Sequence, residues 1–364
     1  MERKLASIRR IDELNPIENA DSIEVCTVGG WKVVAQKGLH KPNDLAVFCE
    51  IDSFIPTAIA PFLTQKGHYP KQFNGVEGER LRTIRLRGQV SQGLLMPVSE
   101  VLNVNTIDEF GYQIITSKFQ VDSADTICGN NVFVEGLDVT KLLNIQKWEA
   151  PISAQLSGTV LGNFPSFIQK TDQERIQNLK RELQEWKDRE FTWEVSEKLD
   201  GSSMTVYVRG AKFGVCSRNL ELKEDAGNSF WRVARRDGLE EKIRSTGRNL
   251  ALQGELIGPG VQGNPYKLKD MEFRVFDIFD IDKFEYLSPS ERINAIVEMV
   301  VYHVPVMSTN TSLEELSIED LLKYSENKSS LNENTEREGI VFKCNQCEAS
   351  FKVISNKFLL KEKA

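Results

Sequence analysis

The chain has little of several features on which specialised proteins depend. Its 364 residues include only three histidines, His40, His68 and His303, which lie far apart. A histidine-based catalytic triad or a histidine-rich metal site is therefore not expected. The first ten residues are rich in charge, and no apolar run approaches the length of a membrane span. The sequence thus favours a cytoplasmic or nuclear protein, neither secreted nor inserted in a membrane.

Cysteine is also sparse, with six residues scattered along the chain. Cys344 and Cys347 form a single Cys-x-x-Cys pattern, whereas a zinc site takes four ligands and no second pair stands nearby. A turn in a β-hairpin explains this pattern better. The lack of a regular cysteine framework is typical of a protein from a reducing compartment.

Positive charge is not in excess either, because the formal net charge is −7. This argues against a protein that coats nucleic acid without specificity. The net charge is compatible with an enzyme that has a local basic groove, since only nearby charges act on a phosphate backbone. With 40% hydrophobic and 27% charged residues, the composition is that of a globular protein long enough for two domains.

The first hundred residues alternate short apolar runs with turn residues. Strands are predicted at residues 23–28, 31–36, 45–51 and 81–86, a spacing typical of a small β-barrel. Arg80, Arg82, Arg85 and Arg87 lie in one strand-like run, where alternation would put the first two on one face and the last two on the other. The four arginines suit contact with nucleic-acid phosphates, and equally suit a charged edge strand that resists aggregation.

From residue 165 onward, helical spacing alternates with strand-like runs. Thr171 and Glu174 fit a capping box, which predicts a following helix of roughly 15 residues. A second helix is predicted to begin at Ser288 and Pro289, and its apolar face would hold Ile293, Ile296, Val297 and Val300. Strands are predicted at residues 191–197, 204–208, 273–281, 339–343 and 350–354. Antiparallel strands with flanking helices predict an α+β fold.

The most informative stretch is residues 196–203, which read Ser-Glu-Lys-Leu-Asp-Gly-Ser-Ser. Lys198 precedes an Asp-Gly turn between two predicted strands, as in sites of covalent nucleotidyl transfer. A lysine amine can attack a nucleotide phosphate only when neutral, so its pKa must fall from about 10.4 through neighbouring cations and a bound metal. Asp200 and Gly201 would supply the turn, with Gly201 leaving room for the nucleotide. A lysine before an Asp-Gly turn also occurs in ordinary hairpins, so further motifs are needed.

Four further segments follow in order: residues 217–219, 254–258, 275–277 with 338–343, and 350–353. Together with Lys198, they resemble the nucleotidyltransferase motifs of ATP-dependent polynucleotide ligases and capping enzymes. DNA ligases and capping enzymes continue with another barrel, whereas this sequence ends soon after Lys352. The ending is therefore expected to indicate an RNA ligase.

The N-terminal part of the chain makes this resemblance more specific. Residues 15–24, 28–34, 44–48 and 52–56 are similar to OB modules that bind tRNA. Residues 136–140, 147–149 and 170–178 fit the Deinococcus-type RNA ligase family. An OB module ahead of an RNA-ligase core resembles the Deinococcus-type RNA ligase family. The resemblance implies a small β-barrel (OB-like) domain at 1–125, a connecting segment at 126–164, and an antiparallel-sheet, ATP-grasp-like nucleotidyltransferase domain at 165–364.

The resemblance also implies roles for individual residues. Lys198 would be the nucleophile, with Arg218, Lys343 and Lys352 as catalytic cations and Glu338 as the metal carboxylate. The nucleotide would be bound by Glu197 near the base, Asp200 and Gly201 at the turn, Glu255 on the ribose and Phe276 stacked on adenine. Ile354 stands where related ligases often have a second lysine, which leaves the second cation of that motif open.

Several of these residues have ordinary explanations as well. Phe276 lies in a very apolar run and could be a core aromatic, and Glu255 could be a turn carboxylate. Arg218 could solvate a hairpin, and Glu338 could belong to a solvated run of charge. Only the ordered set of motifs favours the catalytic interpretation.

The expected function is that of an ATP-dependent RNA ligase that seals 3′-OH and 5′-phosphate ends through a lysyl-AMP intermediate. ATP and Mg²⁺ or Mn²⁺ would be the cofactors, and RNA or an RNA-containing nicked duplex the partner, with an RNA-type 3′-OH strand preferred. No obligate protein partner is expected. Two alternatives remain: a capping guanylyltransferase, and a nucleic-acid or tRNA-binding protein with an inactive transferase core.

Overall fold

A computed structural model describes residues 4–119, 125–148 and 159–361. Glu149, quoted above as part of one motif, lies outside these residues. The chain divides at about residue 150 into two compact units. Within the described ranges, no helix is long and apolar enough to cross a membrane.

The N-terminal unit is built from short strands. In chain order they are β1 Ala6–Arg10, β2 Glu13–Pro16, β3 Ile23–Val28, β4 Trp31–Gln36, β5 Leu45–Cys49, β6 Ser53–Pro56, β7 Lys71–Phe73, β8 Val76–Arg80, β9 Thr83–Leu86, β10 Gln89–Gln92, β11 Leu94–Pro97, β12 Leu102–Thr106, β13 Tyr112–Ser117, β14 Ile127–Asn130 and β15 Gln146–Lys147. A short helix, α1 Val98–Val101, and a 3₁₀ turn at Pro61–Leu63 complete the described elements of this unit.

These strands form several small sheets. Their orders are β1-β5-β11, β2-β3-β4, β15-β6-β8-β7, β9-β10 and β12-β13-β14. Ile8, Val47 and Ile55 are buried together with Leu143 and Ile145. The described residues of the segment 126–148 therefore pack within the N-terminal unit.

The predicted arginine-rich strand is interrupted, so the prediction of one continuous strand at 81–86 is wrong. Arg80 ends β8, Arg82 lies between strands, Arg85 belongs to β9, and Arg87 occupies the following turn with φ of 47°. The cause is Leu81, which is buried and exchanges backbone hydrogen bonds with residues 52 and 53. Arg80 Nη2 lies 2.6 Å from Asp52 Oδ1, so its charge is already paired.

The C-terminal unit contains longer strands and most of the helices. Its strands are β16 Val160–Asn163, β17 Glu174–Arg175, β18 Thr192–Lys198, β19 Ser202–Arg209, β20 Lys212–Cys216, β21 Leu220–Leu222, β22 Leu250–Ile257, β23 Glu272–Asp280, β24 Glu285–Tyr286, β25 Val306–Ser312, β26 Gly339–Cys344 and β27 Ser350–Ile354. Its helices are α2 Lys180–Asp188, α3 Ser229–Arg236, α4 Leu239–Ser245, α5 Pro289–Met299, α6 Ile318–Ser325 and α7 Asn356–Leu359, with a 3₁₀ turn at Ile176–Asn178.

Two sheets make up this unit. One has the order β16-β21-β20-β19-β22-β23-β24, and the other the order β17-β27-β26-β18-β25. Among the strands named above, all pairings are antiparallel except that of β17 with β27, and helices pack on the outer faces of both sheets. The chain crosses from the second sheet to the first between β18 and β19, directly after Lys198. The predicted α+β fold with antiparallel sheets is confirmed.

The predicted capping box at Thr171 and Glu174 is wrong. Glu174 and Arg175 form β17, which pairs with Phe351 and Lys352 of β27. The Glu174 carboxylate accepts hydrogen bonds from the backbone N–H of Arg175 and, at 2.9 Å, from the side chain of Asn178. Helix α2 begins only at Lys180 and has nine residues, so it is shorter than predicted.

The predicted start of α5 is confirmed, but its buried face differs from the prediction. Ser288 accepts a hydrogen bond from the backbone N–H of Glu291, whose carboxylate accepts one from Ser288 in return. Val297 and Val300 are 71% and 76% exposed, whereas Arg292 is fully buried. The helix is rotated because Arg292 pairs with the buried Glu194 carboxylate on β18.

Candidate active site

Lys198 is the last residue of β18, at the point where the chain leaves its sheet. In the antiparallel ladder it faces Gly339 of β26. Alternation puts Trp193 and Val195 in the core under α2 and α6, so Lys198 lies on the opposite face. The same face carries Glu194, Ser196, Val341, Lys343 and Lys352, because these residues are paired across the ladders.

The amine of Lys198 is paired with the predicted metal carboxylate. Lys198 Nζ lies 2.7 Å from Glu338 Oε1, and the two side chains are 28% and 16% exposed. Glu338 immediately precedes β26, and its carbonyl accepts a hydrogen bond from the backbone N–H of Ser355. The strand register therefore fixes the contact between Lys198 and Glu338.

The charges around Lys198 differ from those expected. Burial lowers the pKa of Lys198, but the carboxylates of Glu338, Glu255 and Asp200 outweigh burial, and the pKa lies above its ordinary value. The prediction that neighbouring cations lower this pKa is therefore wrong for the described residues. An ammonium ion surrounded by carboxylates must lose a proton before it can attack.

Glu255 lies in the middle of β22, opposite Ser203 and Arg274. Burial raises the pKa of Glu255 to about 8, and the charge of Lys198 opposes this effect. Burial therefore favours the protonated carboxyl group over the carboxylate. The protonated group can donate or accept a hydrogen bond.

Gly201 is required for packing. A Cβ at this position would lie 2.5 Å from the carbonyl oxygen of Leu256 and 2.7 Å from Cγ of Glu255. The space beside Gly201 is thus filled by β22, which corrects the prediction that it is left for the nucleotide. The missing Cβ lets the connection between β18 and β19 approach Glu255 closely.

Tyr266 contacts the connection between β18 and β19. The sequence motifs did not indicate this residue. Its hydroxyl accepts a hydrogen bond from the backbone N–H of Asp200 at 2.6 Å. Burial raises the pKa of Tyr266, so it stays a neutral phenol. Tyr266 is buried in one cluster with Leu199 and Val304.

Glu197 is almost fully buried next to the nucleophile. Its Oε2 accepts a hydrogen bond from the backbone N–H of Ser330 at 2.7 Å. Its Oε1 is buried and has no hydrogen-bond partner within the described part of the chain. A buried carboxylate oxygen without a donor is costly, so this atom is poised to accept a hydrogen bond from a ligand.

Phe276 occupies an irregular position in β23. Gly254 faces Val275 and Gln253 faces Asp277, so Phe276 is the extra residue of a β-bulge. Its ring is half-buried beside the Tyr266 cluster. Bulges redirect side chains near active sites, and the Phe276 ring has Lys343 Nζ 5.9 Å from its centroid.

Lys343 is not close to Lys198. It faces Glu194, four residues along the ladder, which is about 13 Å at the rise of a strand. Its amine donates to the carbonyl oxygen of Phe276 at 2.5 Å and is paired with Asp277. Burial lowers the pKa of Lys343 to about 8, and Asp277 opposes this effect. Lys343, on β26, therefore links its sheet to β23 of the other sheet through Phe276 and Asp277.

Arg218 and Lys352 meet at a residue that the predictions did not include. Arg218 lies in the turn between β20 and β21, and Lys352 lies on β27. Arg218 Nη2 and Lys352 Nζ each lie 3.4 Å from a different oxygen of Asp172. These two cations are thus brought together, whereas Lys343 is held elsewhere.

The carboxylates around Lys198 suit a divalent cation delivered with a nucleotide. Within residues 4–119, 125–148 and 159–361, no group of three or more His, Cys, Asp or Glu side chains forms a ready metal site. Mg²⁺ commonly takes one or two carboxylates and completes its shell with phosphate oxygens and water. Glu338, with Glu255 and Asp200 nearby, fits that arrangement.

Two further points concern the last motifs: the predicted hairpin turn at Cys344 and Cys347, and Ile354 in place of a second lysine. The hairpin of β26 and β27 around the two cysteines is confirmed. Ile354 is buried and faces Gly339. Lys357, the next lysine in the sequence after Ile354, lies 3.6 Å from Glu326. It is therefore engaged in a surface ion pair.

Comparisons with known proteins agree with this geometry. The family model for RNA ligases matches residues 191–354, and an OB-fold domain model matches residues 5–98. None of the curated protein sequences compared with the chain matches it.

Several solved structures of Naegleria gruberi RNA ligase are similar over almost the whole chain. The ligase with pyrophosphate is 44% identical, with a TM-score of 0.83 and 98% of both chains covered. A lysine-to-alanine mutant with ATP and Mn and a lysine-to-methionine mutant with AMP and Mn are each 43% identical, with the same TM-score of 0.83 and 98% of both chains covered. This chain therefore belongs to the RNA ligase family.

Proposed function

We propose that this protein is an ATP-dependent RNA ligase of the Deinococcus type, which joins 3′-OH and 5′-phosphate ends through a lysyl-AMP intermediate. The observation that carries the proposal is the 2.7 Å contact between Lys198 and Glu338, at the point where the chain passes from one sheet to the other. Naegleria gruberi RNA ligase, which is similar over 98% of this chain, has been solved with ATP, AMP and pyrophosphate. These ligands are the substrate, a product and the leaving group that such chemistry requires.

The reaction divides into three transfers. Nζ of Lys198 forms a bond to the α-phosphorus of ATP, pyrophosphate leaves, and the amine loses a proton. An oxygen of the RNA 5′-phosphate then takes the AMP group from Lys198. Finally, the RNA 3′-oxygen attacks the activated 5′-phosphate, and AMP leaves as the phosphodiester forms.

Deprotonation of Lys198 is the first requirement. Glu338 is within hydrogen-bond distance of the amine and is positioned to accept the proton. A divalent cation bound by Glu338 would offset charge on the α-phosphate and weaken the hold of this carboxylate on the Lys198 proton. Arg218 and Lys352 are the cations best placed to bind phosphate oxygens.

The base-binding role falls to Phe276 and Glu197. The Phe276 ring would stack on adenine, and Lys343 would act indirectly by holding the backbone of Phe276. The unpartnered Oε1 of Glu197 would accept a hydrogen bond from the adenine amino group. Guanine presents a carbonyl oxygen at that position and would be repelled.

Substitution of Glu197 by alanine should therefore relax base selection. We expect the kcat/KM of adenylylation by ATP to fall by about 10- to 100-fold, because a buried acceptor for the base is lost. The ratio of ATP to GTP labelling should fall at the same time. Equal labelling ratios for wild-type and variant protein would remove Glu197 from base recognition. Glu348→Ala, in the β26–β27 loop, is the control.

Contact with the nucleic acid is proposed for the N-terminal unit, through Arg85 and Arg87. Both are exposed, whereas Arg80 is paired with Asp52. Replacing both exposed arginines with glutamine should weaken binding of a nicked RNA duplex and reduce the salt slope by about 2. Adenylylation should be unchanged. Arg181→Gln, on the exposed side of α2, controls for lost charge; an equal effect there would contradict a specific contact.

The preference for nicks with an RNA-type 3′-OH strand is tested by sealing assays. Duplexes with one nick are compared, differing only in whether the strand with the 3′-OH ends in RNA or DNA. We expect sealing at least about tenfold faster for the RNA end. Equal rates would contradict the strand preference, and sealing only of single-stranded ends would contradict the nick preference.

A further inference from the structure

Asp172 lies between two cations, Arg218 from the turn between β20 and β21 and Lys352 from β27. Its Oδ2 is 3.4 Å from Arg218 Nη2, and its Oδ1 is 3.4 Å from Lys352 Nζ. The carboxylate is 32% exposed, so solvent and ligands can reach it. Each carboxylate oxygen is thus shared with one cation, as the oxygens of a bound phosphate would be.

The segment around Asp172 is held in place by contacts on both sides. Lys170 Nζ donates to the side-chain oxygen of Asn219 at 2.9 Å, beside Arg218. On the other side, Glu174 and Arg175 pair with β27, where Arg175 faces Lys352. The position of Asp172 between Arg218 and Lys352 is therefore supported by a side-chain contact before it and by strand pairing after it.

The distances show that Asp172 holds the cations loosely. Charge-assisted hydrogen bonds between such groups are usually about 2.7–2.9 Å long, and both contacts here are 3.4 Å. A phosphate group carries more charge and more acceptor oxygens than a carboxylate. It can therefore replace Asp172 as the partner of Arg218 and Lys352.

We propose that Asp172 occupies the position of a phosphate group between Arg218 and Lys352, and thereby limits the affinity of the enzyme for ATP and pyrophosphate. The proposal rests on the proposed function, since it assigns the two cations to phosphate binding. Asp172 keeps both cations close together before the nucleotide binds. It then competes with pyrophosphate for them, which favours release of this leaving group.

The test replaces Asp172 with asparagine, which keeps the shape and removes the charge. Pyrophosphate binding in the presence of Mg²⁺ is measured by calorimetry on the full chain. We expect about tenfold tighter binding than in the wild type, because a negative charge next to the ligand is removed. The KM for ATP in adenylylation should fall in the same direction. Asp172→Glu, which keeps the charge, should stay close to the wild type.

Glu298→Gln is the matched control, because it removes one negative charge from the exposed side of α5 and should leave pyrophosphate binding unchanged. Melting temperatures show whether each variant is folded. Unchanged or weaker pyrophosphate binding by folded Asp172→Asn would overturn the proposal. Failure of the proposed function gives a different result: wild-type protein would form no AMP adduct, while calorimetry would still report pyrophosphate affinity.

Discussion

Replacing Lys198 with alanine should abolish the transfer of AMP from ATP to the protein. We expect single-turnover adenylylation to slow by more than about 10,000-fold, because the variant lacks the amine proposed to form the phosphorus–nitrogen bond. The side chain is 28% exposed and its partner Glu338 remains partly solvated, so the fold should persist. Intact mass after incubation with ATP and Mg²⁺ measures the adduct, and circular dichroism checks the fold.

Two controls separate lost chemistry from lost structure. The first is Lys212→Ala, which removes another lysine that lies 2.7 Å from a glutamate in the same unit. This variant should form the adduct at the wild-type rate. The second supplies RNA whose 5′-phosphate already carries AMP, a substrate that bypasses Lys198. Lys198→Ala should still seal this RNA; an AMP adduct on the variant protein would contradict the assigned nucleophile.

Replacing Glu338 with glutamine should have the next largest effect. We expect the maximal rate of adenylylation to fall by about 100- to 1,000-fold, because the variant loses the carboxylate that accepts the proton and would hold the cation. The dependence on Mg²⁺ concentration should shift to higher concentrations. Glu221→Gln, which alters the comparable pair with Lys212, is the control.

The pH dependence of the Glu338→Gln variant gives a second, independent readout. The Glu338 carboxylate raises the pKa of Lys198, so its removal should lower that pKa. The rise in adenylylation rate with pH should therefore begin at a lower pH than in the wild type, although the plateau is lower. A rate plateau equal to that of the wild type would contradict the roles of Glu338. A pH profile shifted upward would contradict the pairing with Lys198.

Local sequence patterns predicted the elements that carry the site, but not their pairing. The β-strand around residues 192–198, the capped start of α5 at Ser288 and the β26–β27 hairpin are all indicated by turn and cap residues close to them. The position of Lys198 beside Glu338 depends on the register of β18 against β26. Long-range register is set by packing, and a short motif does not encode it.

Buried charges account for some of the differences between prediction and structure. Arg292 rotated α5 away from its predicted face because it pairs with Glu194 on a distant strand. Lys343, predicted to be a catalytic cation, is paired with Asp277, and its catalytic role stays a prediction. Asp172 was not predicted because the contact between one carboxylate and two distant cations leaves no pattern in a single sequence. Such ion pairs become visible only when the sheets are assembled.

The most direct test of the central claim is the mass of the wild-type protein before and after incubation with ATP and Mg²⁺. The account predicts a gain of one AMP, carried by the peptide that contains Lys198 and removed again by added pyrophosphate. A protein that gains no nucleotide, or gains it from GTP alone or on another residue, would contradict the assignment of Lys198 as the nucleophile of an ATP-dependent RNA ligase.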